Sequence, residues 1–273
     1  MRILLHDTLV TAPYVVPARL GWIESPVSVE PMADLRAGDV APNEVALIPS
    51  AEVASLQESH QVVPDFAVIA TGEGAVAMRV PVRPDEIEAS PVRLYDASGS
   101  AEILARATLQ PFYGINSTAW TSDDTASAQV VIVEGAEALR EPEAGMAEDL
   151  TRAWFILTGQ PVVSHVLVAP KSLNREALSP VLATLESARA AAHERRRDLR
   201  KQLAEREEID RDRLTRLFAA QRLSLEDEDR RALLMLLQRG NRGSAYPYVW
   251  NLTCLEPESS QEPSSEITPA PPE

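Results

Sequence analysis

Short apolar runs rich in β-branched residues recur along this chain, each cut off by a turn or a helical segment. "RILL" at 2–5 reads as a buried first strand, "PVSVEPM" at 26–32 as a second and "EVALIPS" at 44–50 as a third. "DFAVIAT" at 65–71 and "AVAMRVPV" at 75–82 continue the series. Short helices are expected through "ADLRAG" and "AEVASLQ". Strand-length apolar runs alternating with helical pieces specify an α/β fold whose sheet is mixed or parallel and covered on both faces.

The rhythm then repeats. "VRLYDA" at 92–97 leads into a helix from about Ala101 to Leu109, and "AQVVIVEG" at 128–135 supplies another strand. "NSTAWTSDDTAS", residues 116–127, reads as a polar loop. Two α/β halves in series predict two lobes. A helix carrying Leu150, Trp154 and Leu157 should stop at Gly159, ahead of Pro161, and the strand "VVSHVLVAP" at 162–170 follows. Residues Asn174 to about Arg206 are helical in pattern, with Pro180 near the start. The last helix is expected to begin at a Ser224 cap and to end at Gly240. Beyond Gly243, "SAYPYVWNLTC" keeps aromatic residues able to dock on the body, whereas "EPESSQEPSSEITPAPPE" has the composition of a disordered acidic tail.

With 273 residues, 45% of them hydrophobic, the chain can fill one large domain or two lobes. Its formal charge of −15 argues against nucleic acid as a partner, because that binding rests on Lys and Arg neutralising phosphates. A small anionic ligand needs only local donors. The lysines are Lys171 and Lys201, so the positive charge is nearly all arginine, much of it between Arg175 and Arg242. Those arginines suit the solvated face of a long helix. Cys254 is the single cysteine, and no Cys/His cluster has metal spacing, so neither an internal disulfide nor a Cys/His metal site is expected. "MRILLHDTLV" turns charged too early for a signal peptide, and no apolar run approaches spanning length, which predicts a cytoplasmic protein without membrane association.

His6 and Asp7 end the first strand, where open α/β sheets place ligand groups. His165 lies inside an apolar strand and is expected to be satisfied by an internal hydrogen bond, while His60 and His193 sit among polar neighbours as surface residues. "ATGEGAVA" at 70–77 lacks the GxGxxG dinucleotide fingerprint, and no GxSxG elbow or HExxH helix occurs. "YDASGSAEIL" at 95–104 is a strand end, a turn of small residues and a helix start. The amides at Ser98, Gly99 and Ser100 would attract an anion, unless Glu102 in the first helical turn satisfies them.

The order and spacing of "DVAPNEVALIPSAEV", "VPDFAVIATGEGAV" and "DLTRAWFILTGQPVVSHVLVAP" resemble the chorismate dehydratase family of the futalosine route to menaquinone, over about residues 1–240. "ALIPSAE" and "EDLTRAWFILTGQPVV" are the most specific parts. The resemblance implies a two-lobed, type II periplasmic-binding-protein-like fold with C-terminal helices. Lobe 1 would comprise residues 1–84 and 166–243, lobe 2 residues 85–165, with 244–273 as tail. The strands at 75–82 and 162–170 would make the hinge crossings, and chorismate, a dicarboxylate, would lie in the interlobe cleft. The family eliminates water from chorismate to give a carboxyvinyloxy-benzoate without metal or cofactor.

Where family members carry Ser-Tyr-Leu-Asn-Thr-x-Pro after the first strand, this chain has Asp7-Thr8-Leu9-Val10-Thr11-Ala12-Pro13. Their Ser-Val before the hinge strand is Ala75-Val76 here, and their Thr-Ser at the strand-to-helix corner is Ala101-Glu102. Two readings therefore stand. In the first, the chain is a lyase of this family: Thr8, Thr11, Ser50, Gly74, Ser98, Gly99 and Ser100 hold the substrate, and His6 or Asp7 replaces the base. In the second, it is a non-catalytic relative that binds a small anionic metabolite in the same cleft. A third, weaker reading takes the Arg-rich helix as a homodimer face, against the simpler expectation that it packs on its own lobe.

Overall fold

The computed structural model describes residues 2–125, 127–249 and 251–256. The expected disorder of the tail beyond 256 lies outside the described residues. Strand β1 (Arg2–His6) is buried from Ile3 onward, leads into α1 (Ala12–Arg19) and pairs in parallel with β2 (Ser28–Met32) and β3 (Val45–Pro49). All five residues of β3 are buried, as its unbroken apolar run requires for an inner strand. A 3₁₀ turn at Ser50–Glu52 and the short α2 (Val53–Leu56) follow. Strand β4 (His60–Ala70) runs longer than the apolar "DFAVIAT" and passes through Pro64. "ADLRAG" forms only a 3₁₀ turn at Ala37–Asp39, too short for a helix of its own.

The chain then leaves this sheet. Strand β5 (Val76–Val80) belongs to a second sheet with β6 (Ala89–Tyr95), which leads into α3 (Gly99–Thr108). A π-helical turn at Leu109–Tyr113 precedes β7 (Asn116–Thr121), β8 (Val130–Glu134), α4 (Ala136–Leu139), β9 (Met146–Asp149) and α5 (Leu150–Thr158). Half of "NSTAWTSDDTAS" is thus the edge strand β7 rather than loop. It pairs only with β6 and is largely exposed, so it carries no apolar alternation. Strand β10 (Val162–Pro170) returns to the first sheet, followed by α6 (Arg175–Glu194), α7 (Arg196–Glu207), α8 (Arg211–Ala219), the two-residue β11 (Gln221–Arg222) and α9 (Asp227–Gly240).

The first sheet has the order β11-β4-β10-β3-β1-β2 and the second β7-β6-β8-β5-β9. Each is parallel except where the chain returns: β10 runs antiparallel to β3 and β4, β11 to β4, and β5 to β8 and β9. Neither strand expected at the hinge spans both sheets. Strand β5 pairs only within the second sheet although residues up to 84 were expected in the first lobe, and β10 pairs only within the first. The crossings are the segments before these strands, 71–75 and 159–161, where glycine-containing turns break the ladder.

Local chemistry explains the helix ends. Asp149 caps α5 by accepting from the amides of Thr151 (2.7 Å) and Arg152 (3.1 Å), and Gly159 ends it at φ +69°. Asn174 caps α6, whose buried face of Leu178, Val181, Leu185, Ala188 and Ala192 packs on the first-sheet side against α1. The Arg-rich region breaks at Arg195 into two helices. Ser224 does not cap α9: the amide of Leu225 donates to the carbonyl of Pro64 (2.8 Å), which holds the chain extended until Glu226, and Glu226 and Asp229 form the capping box. No helix of the described residues is long and apolar enough to cross a membrane.

Candidate functional site

The Ser50–Glu52 turn after β3, and β10 beside it, pack against α3. Strand β10 carries a β-bulge at Ser164, between its pairings of Val163 and His165 with β4. A bulge turns carbonyls out of the ladder, and two serines take them. The Ser50 hydroxyl donates to the carbonyl of Val163 (2.7 Å) and the Ser100 hydroxyl to that of Ser164 (2.8 Å). The hydroxyls lie 3.1 Å from each other, but each has one proton, so these contacts cannot all be filled at once. Both side chains are buried and engaged within the protein.

Behind the serines lies a buried pair of imidazoles. His165 Nε2 is 2.8 Å from His6 Nδ1, His6 Nε2 is 3.2 Å from the carbonyl of Ala33, and His165 Nδ1 is 3.1 Å from Ser164 Oγ. A carbonyl only accepts, so Nε2 of His6 carries a hydrogen. Its Nδ1 then accepts from His165 Nε2–H, and His165 Nδ1 accepts from the Ser164 hydroxyl, whose single proton is then withheld from the carbonyl of Val68 at 3.2 Å. All four ring nitrogens have partners in this arrangement. Burial holds the pKa of His6 below the usual histidine value and that of His165 well below it, the latter further by the neighbouring His6 charge. His60, expected at the surface, is also buried and starts β4; its Nε2 faces the carbonyl of Glu44 at 3.2 Å, and burial lowers its pKa.

In the loop from β1 to α1, Thr11 is fully buried and accepts from the amide of Thr8 (3.0 Å), while its hydroxyl donates to the carbonyl of His6. Thr8 and Thr11 thus shape the turn that starts α1. Asp7 is paired with Arg19. Val10 and Ala75 are both buried in the apolar cluster of Leu9, Tyr14, Phe66 and Val68, filling with hydrocarbon what the family resemblance reads as polar positions. The amide of Gly74 donates to Asp149 Oδ2 (3.0 Å), and a Cβ there would meet Thr151 Oγ1 at 2.0 Å, so it serves the close approach of α5. It borders a crevice of about 420 Å³ that also includes Glu73, Arg152, Arg213 and Arg216.

At the start of α3, Ser98 caps the helix, accepting from the amide of Ala101 (3.4 Å), and its own amide donates to Glu134 Oε2 (2.6 Å). Burial raises the pKa of Glu134. Glu102 does not cap: it pairs with Arg106 one turn on at 2.7 Å, and that guanidinium lies 4.0 Å over the Trp120 ring. Four residues that the sequence did not single out stand beside these: Arg36, Glu52, Glu134 and Tyr246. Glu52 is buried, accepts from the amide of Ala37 (3.0 Å) and the Tyr246 hydroxyl (3.2 Å), and lies 3.7 Å from Arg36. The only signal for Glu52 was its place in "ALIPSAE", and for Tyr246 the aromatic content of "SAYPYVW".

Residues 37–242, more than half of the chain, match the sequence profile of a family described as menaquinone biosynthesis. No curated protein sequence matches the chain significantly. Among solved structures, a structural-genomics protein of Archaeoglobus fulgidus superposes with a TM-score of 0.60 at 12% identity, over 88% of this chain and 95% of that one. The periplasmic aliphatic sulphonate-binding protein SsuA of Escherichia coli gives 0.58 at 15% identity, over 94% of each chain. The zinc-bound ligand-binding component of an ABC-type import system of Staphylococcus aureus gives 0.61 at 12% identity, over 93% of this chain and 96% of that one. These likenesses show a two-lobed, periplasmic-binding-protein-like fold.

Proposed function

Since the chain belongs to the menaquinone-biosynthesis family, we propose that it is a cytoplasmic, chorismate dehydratase-like lyase that takes its substrate in the seam between the two sheets. Each sheet with its helices is one lobe in this reading. The observation that carries it is the convergence of the α3 start, Ser50 at the end of β3 and, through His165 and Ser164, His6 at the end of β1. Elimination of water from chorismate breaks a ring C–H bond and the neighbouring C–O bond, and the departing oxygen leaves as water once protonated. That chemistry needs a base and a proton donor. The imidazoles of His6 and His165 are neutral at neutral pH and can accept a proton. For His6 to act on substrate, its Nε2 must give up the Ala33 carbonyl, with the His165–Ser164 chain rearranging its hydrogens behind it.

A second reading is favoured by specific features. Asp7 is held by Arg19, both nitrogens of His6 are engaged, and Val10 and Ala75 can neither accept a proton nor donate a hydrogen bond. These suit a relative that binds a small anionic metabolite without turning it over. Incubating the purified protein with chorismate while following the ultraviolet absorption of the diene tests the first reading. Steady loss of absorption supports it. A rise in melting temperature with no loss of absorption at high protein concentration supports the second.

A further inference from the structure

The C-terminal helices leave a chamber of about 620 Å³ between them, a volume typical of small-molecule sites. Its lining comes from the second half of α6, the start of α7, the end of α8, the β11 segment and Pro13 in the first turn of α1. Along α6 and α7 the lining positions recur at helical spacing: Glu186, Arg189 and His193, then Arg196 and Arg200. The interior is mostly apolar. Pro13, Ala192 and Leu199 are buried, and Phe218 and Leu223 are half-buried beside them.

The cations on this wall are not all spent on the protein. Arg189 is committed: it pairs with Glu186, donates to the carbonyl of Asp65 (3.5 Å) and lies 5.3 Å over the Phe66 ring. Arg196, by contrast, donates to the carbonyl of His193 (3.5 Å), and Arg200 to the carbonyl of Arg196 (3.1 Å) and the Thr215 hydroxyl (3.0 Å), all neutral acceptors. Neither guanidinium has a carboxylate partner among the described residues. Acidic residues outnumber Lys and Arg by 41 to 26 in this chain, so two uncompensated arginines side by side run against its general charge. Gln221, on the same wall, has a covered side-chain amide with no partner for its oxygen or its nitrogen, so hydrogen-bonding capacity is left over there as well. An apolar chamber bordered by unpaired guanidiniums is complementary to a molecule with an apolar body and one anionic end.

We propose that this chamber is a second binding site, for an organic acid whose aliphatic or aromatic body fills the apolar interior while its carboxylate lies against Arg196 and Arg200. None of the residues assigned to substrate at the seam lines it, so the two sites stand or fall separately. Decanoate serves as the probe, with decyltrimethylammonium as its cationic counterpart, and the full-length protein is titrated by calorimetry. The wild-type protein should bind decanoate and discriminate against the cation. Replacing Arg196 and Arg200 together by Gln should weaken decanoate by about tenfold or more, since charge-assisted hydrogen bonds are lost. Ala190→Trp, at an exposed lining position, should fill the chamber and abolish binding while leaving the melting temperature and any chorismate turnover unchanged. Amide hydrogen exchange in the wild-type protein supplies a check that needs no variant: decanoate should slow exchange at residues 190–200 and 217–223. No decanoate binding at millimolar concentration, equal affinity for the cation, equal affinity in wild type and both variants, or protection confined to other segments overturns the site.

Discussion

The buried histidines make stability depend on pH in a direction that can be worked out. His165 is fully buried and its pKa is held well below that of an exposed histidine. In the unfolded chain it titrates at about 6.5. Below that pH the unfolded state takes up a proton that the native state refuses, so the stabilisation present above about pH 6.5 is lost as the pH falls. At pH 5.5 the unfolded imidazole is about nine-tenths protonated, so the slope reaches at most about 1.2 kcal/mol per pH unit, the limit for a native imidazole that takes up no proton. Integrated from pH 7.5 to 5.5, the loss from His165 alone is at most about 1.4 kcal/mol. His6 and His60, both also lowered by burial, act in the same direction. Glu134 and Asp149, raised by burial, act in the opposite one, because the native state holds their protons more tightly than the unfolded chain does. The His165 contribution is isolated by comparison with His165→Gln, whose amide can still donate to His6 and accept from Ser164. Urea unfolding at pH 7.5, 6.5 and 5.5 should show the wild-type protein losing stability more steeply than the variant, by up to about 1.2 kcal/mol per pH unit at the acid end. Equal slopes, or a steeper variant, would refute a neutral buried His165.

Three other perturbations follow from the packing. Trp154 is fully buried and donates from Nε1 to the carbonyl of Pro161, so Trp154→Ala should cost about 3–5 kcal/mol in denaturant unfolding. Gly145 has φ +80°, and a Cβ there would meet the Val80 carbonyl at 2.2 Å; Gly145→Ala should lower stability by roughly 2 kcal/mol or more and loosen the pairing of β5 with β9. Under the lyase reading, Val10→Asn with Ala75→Ser should raise chorismate turnover above that of the wild-type protein, at some cost in melting temperature because both sites are buried in hydrocarbon. An unchanged rate would show that those positions do not limit the chemistry.

Much of the framework was legible because burial leaves a direct trace in sequence. "EVALIPS" and "VVSHVLVAP" are near-continuous apolar runs since both become inner strands, and "TGQP" ends α5 by the expected glycine turn. Edge elements escaped for the opposite reason. Strand β7 is exposed on most of its residues, so its polar composition reads as loop. His60 looked exposed because its neighbours are polar, yet β4 extends back to it and covers it with the Glu44 backbone. The Ser224 cap failed because a distant contact, Leu225 to Pro64, decides where α9 begins.

The candidate site was legible only in part. Ser50 at the end of β3 meets Ser100 at the start of α3, and His6 at the end of β1 meets His165. Gly74 serves the close approach of α5, a role its sequence neighbourhood did not announce. Glu102 turned out to pair with Arg106 along its own helix, which frees the α3 start from the cap its position suggested. The group that does fill that start, Tyr246, lies far along the chain. No local pattern could announce it, because contacts with residues distant in sequence, such as Val62 with Thr253 and Glu52 with the phenol itself, bring it there.

The central claim is that this seam handles chorismate chemically. The most direct measurement mixes chorismate with the full-length protein in molar excess and follows the small molecules by mass spectrometry. The account predicts that chorismate disappears and that a carboxyvinyloxy-benzoate, lighter by one water, appears in equal amount. Chorismate recovered intact from an excess of folded protein would contradict it.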